Sequence, residues 1–299
     1  MTADSADDAV DAVDGRSGGD EGAGNEGAGL RVALVQFSPD AARVESNVER
    51  ALSELAAAAD AGADLVAFPE LFDVGYFAFD SYATHAEGLD GDRFGRFAAA
   101  AREHDVWVLA GTMLEDLAAT ASETDVSVPA TEGYANTAVV FSPAGDRELV
   151  YRKHHLFGYD SAEAELLVPG ERRPTVDVGG FTLAVSTCYD LRFPELYREY
   201  VDAGADLVLV PSAWPYPRVE HWKTLPSTRA VENLSFVATI NGAGTVAGTG
   251  LVGRSTVYDP WGTPVATTDD RETVVYADLD PERVAAVREE FPALDDRRL

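Results

Sequence analysis

Two similar decapeptides stand far apart in this chain. AGADLVAFPE (61–70) and AGADLVLVPS (203–212) share their first six residues, and both carry proline at the ninth position. In each copy an Ala-Gly pair ends a stretch of helical periodicity. A buried apolar run follows and stops at the proline, which cannot donate to a strand ladder. Two such junctions commit the chain to helices that feed directly into buried strands, and so to sheets with helices outside them. The repeat has two readings: a pseudo-twofold relating two sheets, or an ordinary helix-to-strand turn reached twice.

The other segments extend the alternation. RVALVQFSP (31–39) reads as a buried strand, and residues 43–61 set Val44, Val48, Leu52 and Leu55 at helical spacing. A helix over 93–104, a strand over 106–114, a polar surface loop over 115–132 and a hairpin over 134–157 turning at Pro143–Asp146 follow. Beyond these come a strand over 181–188, a helix over 194–205 opened by Pro194, and strands over 206–214, 235–241, 254–262 and 273–280. Further helices are expected over 221–234 and 281–291. Residues 1–29 are mostly Gly, Ala, Asp and Glu and bury too little apolar surface to offset chain entropy. A disordered acidic tail over 1–29 and one folded domain over 30–299 are the expected organisation.

Charge and cysteine use exclude several function classes. The chain has 52 acidic and 23 basic residues, a net charge of −29. Such a field repels nucleic acid and anionic membranes. The excess is dispersed, with only eight acids in the first 29 residues, which suits a halophile's solvation surface better than a docking patch for a basic partner. No apolar run is long enough to span a bilayer, and the acidic N-terminus is unlike a secretory signal. A single cysteine fits a reducing cytoplasm. Lysine is nearly as scarce: Lys153 and Lys223 stand against 21 arginines. Where the chain keeps a cysteine or a lysine, local chemistry is a candidate reason.

Three stretches carry such chemistry. In STCYDLRFPE (186–195), Cys188 closes a strand just before a helix opened by Pro194. A sharp strand-to-helix turn exposes a side chain, frees backbone N–H groups for an oxyanion, and favours a lowered thiol pKa. The alternative is a small buried hydrophobe. In YRKHHLF (151–157), Lys153 is a compact, tunable charge in a chain that otherwise uses arginine; the alternative is an exposed lysine at a strand end. In AFPELFDVGY (67–76), Glu70 has Phe68, Pro69, Leu71 and Phe72 as flanks, so desolvation should raise its pKa toward the range of a general base.

Glu70 in FPELF, Lys153 in YRKHHLF and Cys188 in CYDLRFPE together resemble the Glu–Lys–Cys triad of the nitrilase superfamily, the carbon–nitrogen hydrolases. The resemblance extends through VALVQF, RAVENLSFVATIN (229–241), STVYDPWG (255–262) and the closing FPALDDRR, nearly all of residues 31–299. It implies an α/β (α+β) fold, a four-layer α-β-β-α sandwich of two mixed sheets, paired into homodimers or larger homo-oligomers. It also implies a second glutamate between lysine and cysteine. Glu163 in SAEAELLVPG matches that position best, with Glu165 a near competitor.

Chemically, the resemblance implies that Glu70 takes the thiol proton while Cys188 attacks an amide carbon. Lys153 and the Tyr189 N–H hold the oxyanion, ammonia leaves, and water releases the acid from a thioester, with Glu163 helping to position substrate. No metal and no organic cofactor is required. CYDLRFPE looks most like the omega-amidase branch, whose substrates are small amides bearing a carboxylate. Arg192 and Arg218 are candidate partners for that carboxylate, with Tyr76 and Trp214 as walls. Arg192 could instead bridge to Glu195 or another acid. Other substrates (nitriles or N-carbamoyl compounds), a Cys–His pair drawn from five histidines, and a non-catalytic binder of the same fold are the alternatives. A metal site at His154-His155 suits poorly, because neighbours on a strand point to opposite faces.

Overall fold

The protein is described here by a computed structural model covering residues 29–159 and 161–298. The expected disordered tail lies outside these residues except for Gly29. β1 (Leu30–Gln36) leads through α1 (Val44–Asp60) into β2 (Leu65–Ala67). The one-turn α2 (Tyr82–His85) and α3 (Asp92–His104) precede β3 (Trp107–Leu109) and β4 (Met113–Asp116). After α4 (Leu117–Glu123) comes the hairpin of β5 (Tyr134–Phe141) and β6 (Arg147–Arg152), then α5 (Glu163–Leu166). The second half runs β7 (Thr175–Val178), β8 (Phe181–Val185), α6 (Pro194–Asp202), β9 (Leu207–Ser212), α7 (Val219–Asn233) and β10 (Phe236–Asn241). A small hairpin of β11 (Thr245–Val246) and β12 (Thr249–Gly250) follows, then β13 (Thr256–Tyr258), β14 (Pro264–Thr267), β15 (Thr273–Leu279) and α8 (Pro281–Glu290).

Two mixed sheets result. The first runs β15-β1-β2-β3-β5-β4, with β6 also paired to β5; the second runs β14-β13-β10-β9-β8-β7. β15 returns to the first sheet antiparallel to β1, from Leu30 opposite Leu279 to Gln36 opposite Thr273. The pleat of β1 sorts its side chains into two cores. Val32 and Leu34 join Leu183, Leu207, Leu209 and Val237 of the second sheet. Ala33 and Val35 pack on Val48 and Leu55 of α1 and on Phe94 and Phe97 of α3. α6 and α7 cover the second sheet with Leu196, Tyr197, Tyr200 and Trp222. The layers are therefore helix, sheet, sheet, helix, as the resemblance implies.

The repeated decapeptides occupy equivalent places. β2 lies between parallel β1 and β3, and β9 lies between parallel β8 and β10. Gly62 and Gly204 both take positive φ, +83° and +94°, as the turn out of a helix requires. Asp64 donates its N–H to Arg31 O and accepts from Arg31 N on a carboxylate oxygen; Asp206 does the same with Thr182. The shared aspartate thus docks the start of its own strand onto the start of the neighbouring one. The two junctions are thus equivalent in strand order, turn geometry and docking bonds.

Three sequence expectations change. Residues 117–123 of the expected loop form α4, because Asp116 caps it by accepting from the N–H groups of Ala118 and Ala119. The expected strand over 106–114 breaks at Gly111, whose φ is +31° and where a Cβ would stand 2.2 Å from Pro69 O. That close approach lets the next residue, Thr112, donate its N–H to Pro69 O and accept from Leu71 N on Oγ1, clamping both sides of Glu70. Finally, β6 stops at Arg152, so His154 and His155 are not on a strand.

Candidate active site

Four segments converge at one end of the sandwich. Glu70 follows β2, Lys153 follows β6, Glu163 opens α5 and Cys188 follows β8. Lys153 Nζ donates to Glu70 Oε1 at 2.8 Å and to Glu163 Oε1 and Oε2 at 2.8 and 2.9 Å, with all three side chains fully buried. Glu165 is exposed, so the structure brings Glu163 and not its competitor to the cluster. Buried ions are costly unless paired and hydrogen-bonded, and here each one is.

Counting donors separates the two glutamates. A carboxylate offers about four acceptor positions. Glu163 receives Lys153, Asn136 (3.0 Å), Tyr76 OH (2.9 Å) and the N–H of Phe157 (2.7 Å). Glu70 receives Lys153, Asn136 (2.9 Å) and the N–H of Ala213 (2.9 Å), which leaves a position for the thiol. Cys188 and Glu70 are close enough that each shifts the other's pKa. Lys153 makes three contacts to the two glutamates, one to Glu70 and two to Glu163, which engages all three of its hydrogens.

Burial raises the Glu70 pKa, as its apolar flanks lead one to expect. Lys153 opposes the shift and Glu163 adds to it. Burial also works against the Lys153 ammonium, but Glu163 and Glu70 outweigh it and hold its pKa well above the usual lysine range. The thiol departs from expectation. Burial, then the Glu70 charge, push the Cys188 pKa well up despite Lys153. Enclosure outweighs the turn and favours the neutral thiol at Cys188.

The backbone aims that thiol. Cys188 has φ +47° and opens a 3₁₀ turn, Cys188–Arg192, held by Thr187, whose N–H donates to the Asp190 carboxylate (2.8 Å) and whose backbone O accepts from the Asp190 N–H (2.9 Å). Asp190 also accepts from Tyr151 OH (2.6 Å) and from the N–H of His155 (2.9 Å), and contacts His155 Nδ1 at 2.7 Å. The turn bearing Cys188 is thereby tied to the segment bearing Lys153. His155 is occupied by Asp190 and stacks on Phe193, His154 stacks on Tyr151, and His221 meets Arg192. Among the described residues no histidine partners the thiol.

Cys188 lines a pocket of about 370 Å³, counting its open mouth, with Tyr76, Tyr189, Arg192, Trp214 and Arg218 among the other lining residues. All of the predicted binding residues therefore border one space. The Arg192 guanidinium lies 5.6 and 5.1 Å from the ring centroids of Tyr189 and Trp214, and that of Arg218 lies 5.5 Å from Phe157. Among the described residues neither arginine bridges to a carboxylate, Glu195 included. Glu163 is not among the residues lining this pocket; its contacts are to Lys153, Asn136, Tyr76 and Phe157. Sequence reasoning missed Asn136 and Asp190. The signal for Asn136 was a lone amide in the apolar run YANTAVVF, where a buried polar group needs a reason.

Known proteins share this arrangement of chain. The carbon-nitrogen hydrolase family profile matches residues 31–289. The 2-oxoglutaramate amidase of Paenarthrobacter nicotinovorans is 35% identical over 90% of each chain. The human omega-amidase NIT2 is 31% identical over 90% of this chain and 95% of its own. Among solved structures, Nit3 of Saccharomyces cerevisiae superposes with a TM-score of 0.80 at 29% identity, covering 91% of this chain and 97% of its own. The amidase from Nesterenkonia sp. AN1, seen with an acetamide moiety added covalently at its active-site cysteine, gives 0.75 at 27% identity, covering 91% of this chain and all of its own. On the span and level of these matches, the chain belongs to the carbon–nitrogen hydrolase family.

Proposed function

We propose that this protein is an amidase that releases ammonia from short amides bearing a carboxylate, with Glu70, Lys153 and Cys188 as its catalytic triad. The observation that carries the reading is the make-up of one pocket. A thiol backed by a buried base and a buried ammonium borders it, and two arginines with no carboxylate partner among the described residues stand on its walls. A thiol alone would serve any acyl substrate; the arginines favour an anionic one. The names of the relatives, 2-oxoglutaramate amidase and omega-amidase, point to the same class.

Cys188 Sγ attacks the amide carbon while its proton passes to the free position on Glu70. The carbonyl oxygen becomes an oxyanion, held by the Tyr189 N–H and by the Lys153 ammonium, which gives up one of its two contacts with Glu163 to reach it. Glu70 returns the proton to the nitrogen, the C–N bond breaks, and ammonia leaves a thioester. Water then gives a proton to Glu70 and attacks the same carbon; the C–S bond breaks, the thiolate recovers the proton, and the acid departs. Glu163, its acceptor positions filled, holds Lys153 in place. Pairing of copies, a cytoplasmic setting and a saline one belong to the same reading. The first rests on the habit of the family, the second on the lone cysteine, and the third on the acid excess.

Ammonia release from a panel of short amides, nitriles and N-carbamoyl compounds tests it. Carboxylate-bearing amides should turn over fastest, and Cys188→Ala should abolish the activity. Preference for a nitrile, or for neutral amides, would overturn the substrate assignment.

A further inference from the structure

We infer that Asn136 is a positioning residue of this reaction, clamping Glu70 and Glu163 together so that Glu70 keeps one oxygen position open toward Cys188. The inference rests on the amidase reading for its chemistry and on the structure for its geometry. Asn136 lies in β5 and is fully buried. Its Nδ2 donates to Glu70 Oε1 at 2.9 Å and to Glu163 Oε1 at 3.0 Å, which uses both hydrogens. Those are two of the three oxygens that Lys153 Nζ reaches. Its backbone O accepts from Lys153 N at 2.9 Å, so one residue fixes both carboxylates and the start of the lysine.

The chemistry explains why an amide stands here. Two carboxylates in one dry space repel, and Lys153 supplies a single positive charge. A second cation would finish the neutralisation but would quench Glu70 as a base. Asn136 adds two donors and no charge. Its Oδ1 has no partner among the described residues, so the side chain is held by its donor end alone. The flipped amide would set that oxygen against two carboxylates, which fixes the orientation. The groups facing Glu70 are Lys153 after β6, Glu163 on α5, Cys188 after β8 and Tyr76 beyond β2. None of them replaces the two donors Asn136 provides.

The test is the rate of Cys188 alkylation by iodoacetamide as a function of pH, measured with kcat and KM on a short amide for Asn136→Ala and Asn136→Asp. Without the clamp Glu70 holds its proton more tightly, so the acid limb of alkylation should move up by about one pH unit or more in Asn136→Ala, a tenfold slowing below the limb. Asn136→Asp adds a third carboxylate and should move it further. In Asn136→Ala, kcat should fall roughly ten- to a hundredfold with KM within about threefold, because Asn136 does not touch the pocket. An unmoved limb, or a loss lying mainly in KM, overturns the inference. Should Asn136→Ala fail to fold, the isosteric Asn136→Asp decides on the same limb. Alkylation needs no amide. A shifted limb in a protein that hydrolyses none would sink the amidase reading and leave the clamp standing, and the converse result would do the opposite.

Discussion

Glu70 and Glu163 accept hydrogen bonds from the same two side-chain donors, Lys153 Nζ and Asn136 Nδ2, yet only Glu70 keeps an acceptor position free. On the proposed amidase reading, that difference suits Glu70 to carry the proton and Glu163 to anchor the lysine. Among the described residues Lys153 is the one cation between them, so Lys153→Met leaves two buried carboxylates without a charged partner. The expected cost is about 3–5 kcal/mol of stability near neutral pH. Either carboxylate can relieve the repulsion by taking a proton, so the deficit should shrink as pH falls. Denaturant unfolding of both proteins across pH checks this; a deficit that stays constant would contradict it.

The raised Glu70 pKa sets the acid limb of catalysis. Glu70 must be ionised to take the thiol proton, so kcat/KM should fall as pH drops through that raised value, above the ordinary glutamate range. Lys153 is held well above the usual lysine range and should set no limb below strongly alkaline pH. A pH–rate profile checks both statements.

The pocket arginines should separate anionic from neutral substrates. Arg192→Met and Arg218→Met are each expected to raise KM for a carboxylate-bearing amide roughly ten- to a hundredfold, with a much smaller change for a neutral amide of equal length. Equal losses on the two substrates would remove the arginine from recognition.

How much of this was legible beforehand depended on whether the signal was local. The helix-to-strand junctions at 61–70 and 203–212 could be read because a glycine, an apolar run and a proline lie within ten residues. What Asp64 and Asp206 do there could not, since their partners Arg31 and Thr182 lie 33 and 24 residues away. Glu70, Lys153 and Cys188 stood out through flanks and rarity. Asn136 and Asp190 did not, because an amide in a strand and an acid in a turn acquire meaning only from side chains brought in by other segments. The raised thiol pKa was hidden for the same reason: enclosure is a property of the folded site.

The acid excess bears on stability rather than on chemistry. With a net charge of −29, self-repulsion should lower the melting temperature in dilute buffer and release it in molar KCl, where the screening length is only about 3 Å. A melting temperature that stays flat over that range would remove the halophile reading and leave the site untouched.

The central claim is that Cys188 carries the acyl group. Mixing the protein with a short carboxylate-bearing amide, quenching in acid within the first turnover and weighing the intact chain tests it most directly. The account expects a mass gain equal to the amide less ammonia, located on the peptide containing Cys188 and missing from Cys188→Ala. Undiminished turnover by Cys188→Ala, or an acyl group on another residue, would contradict it.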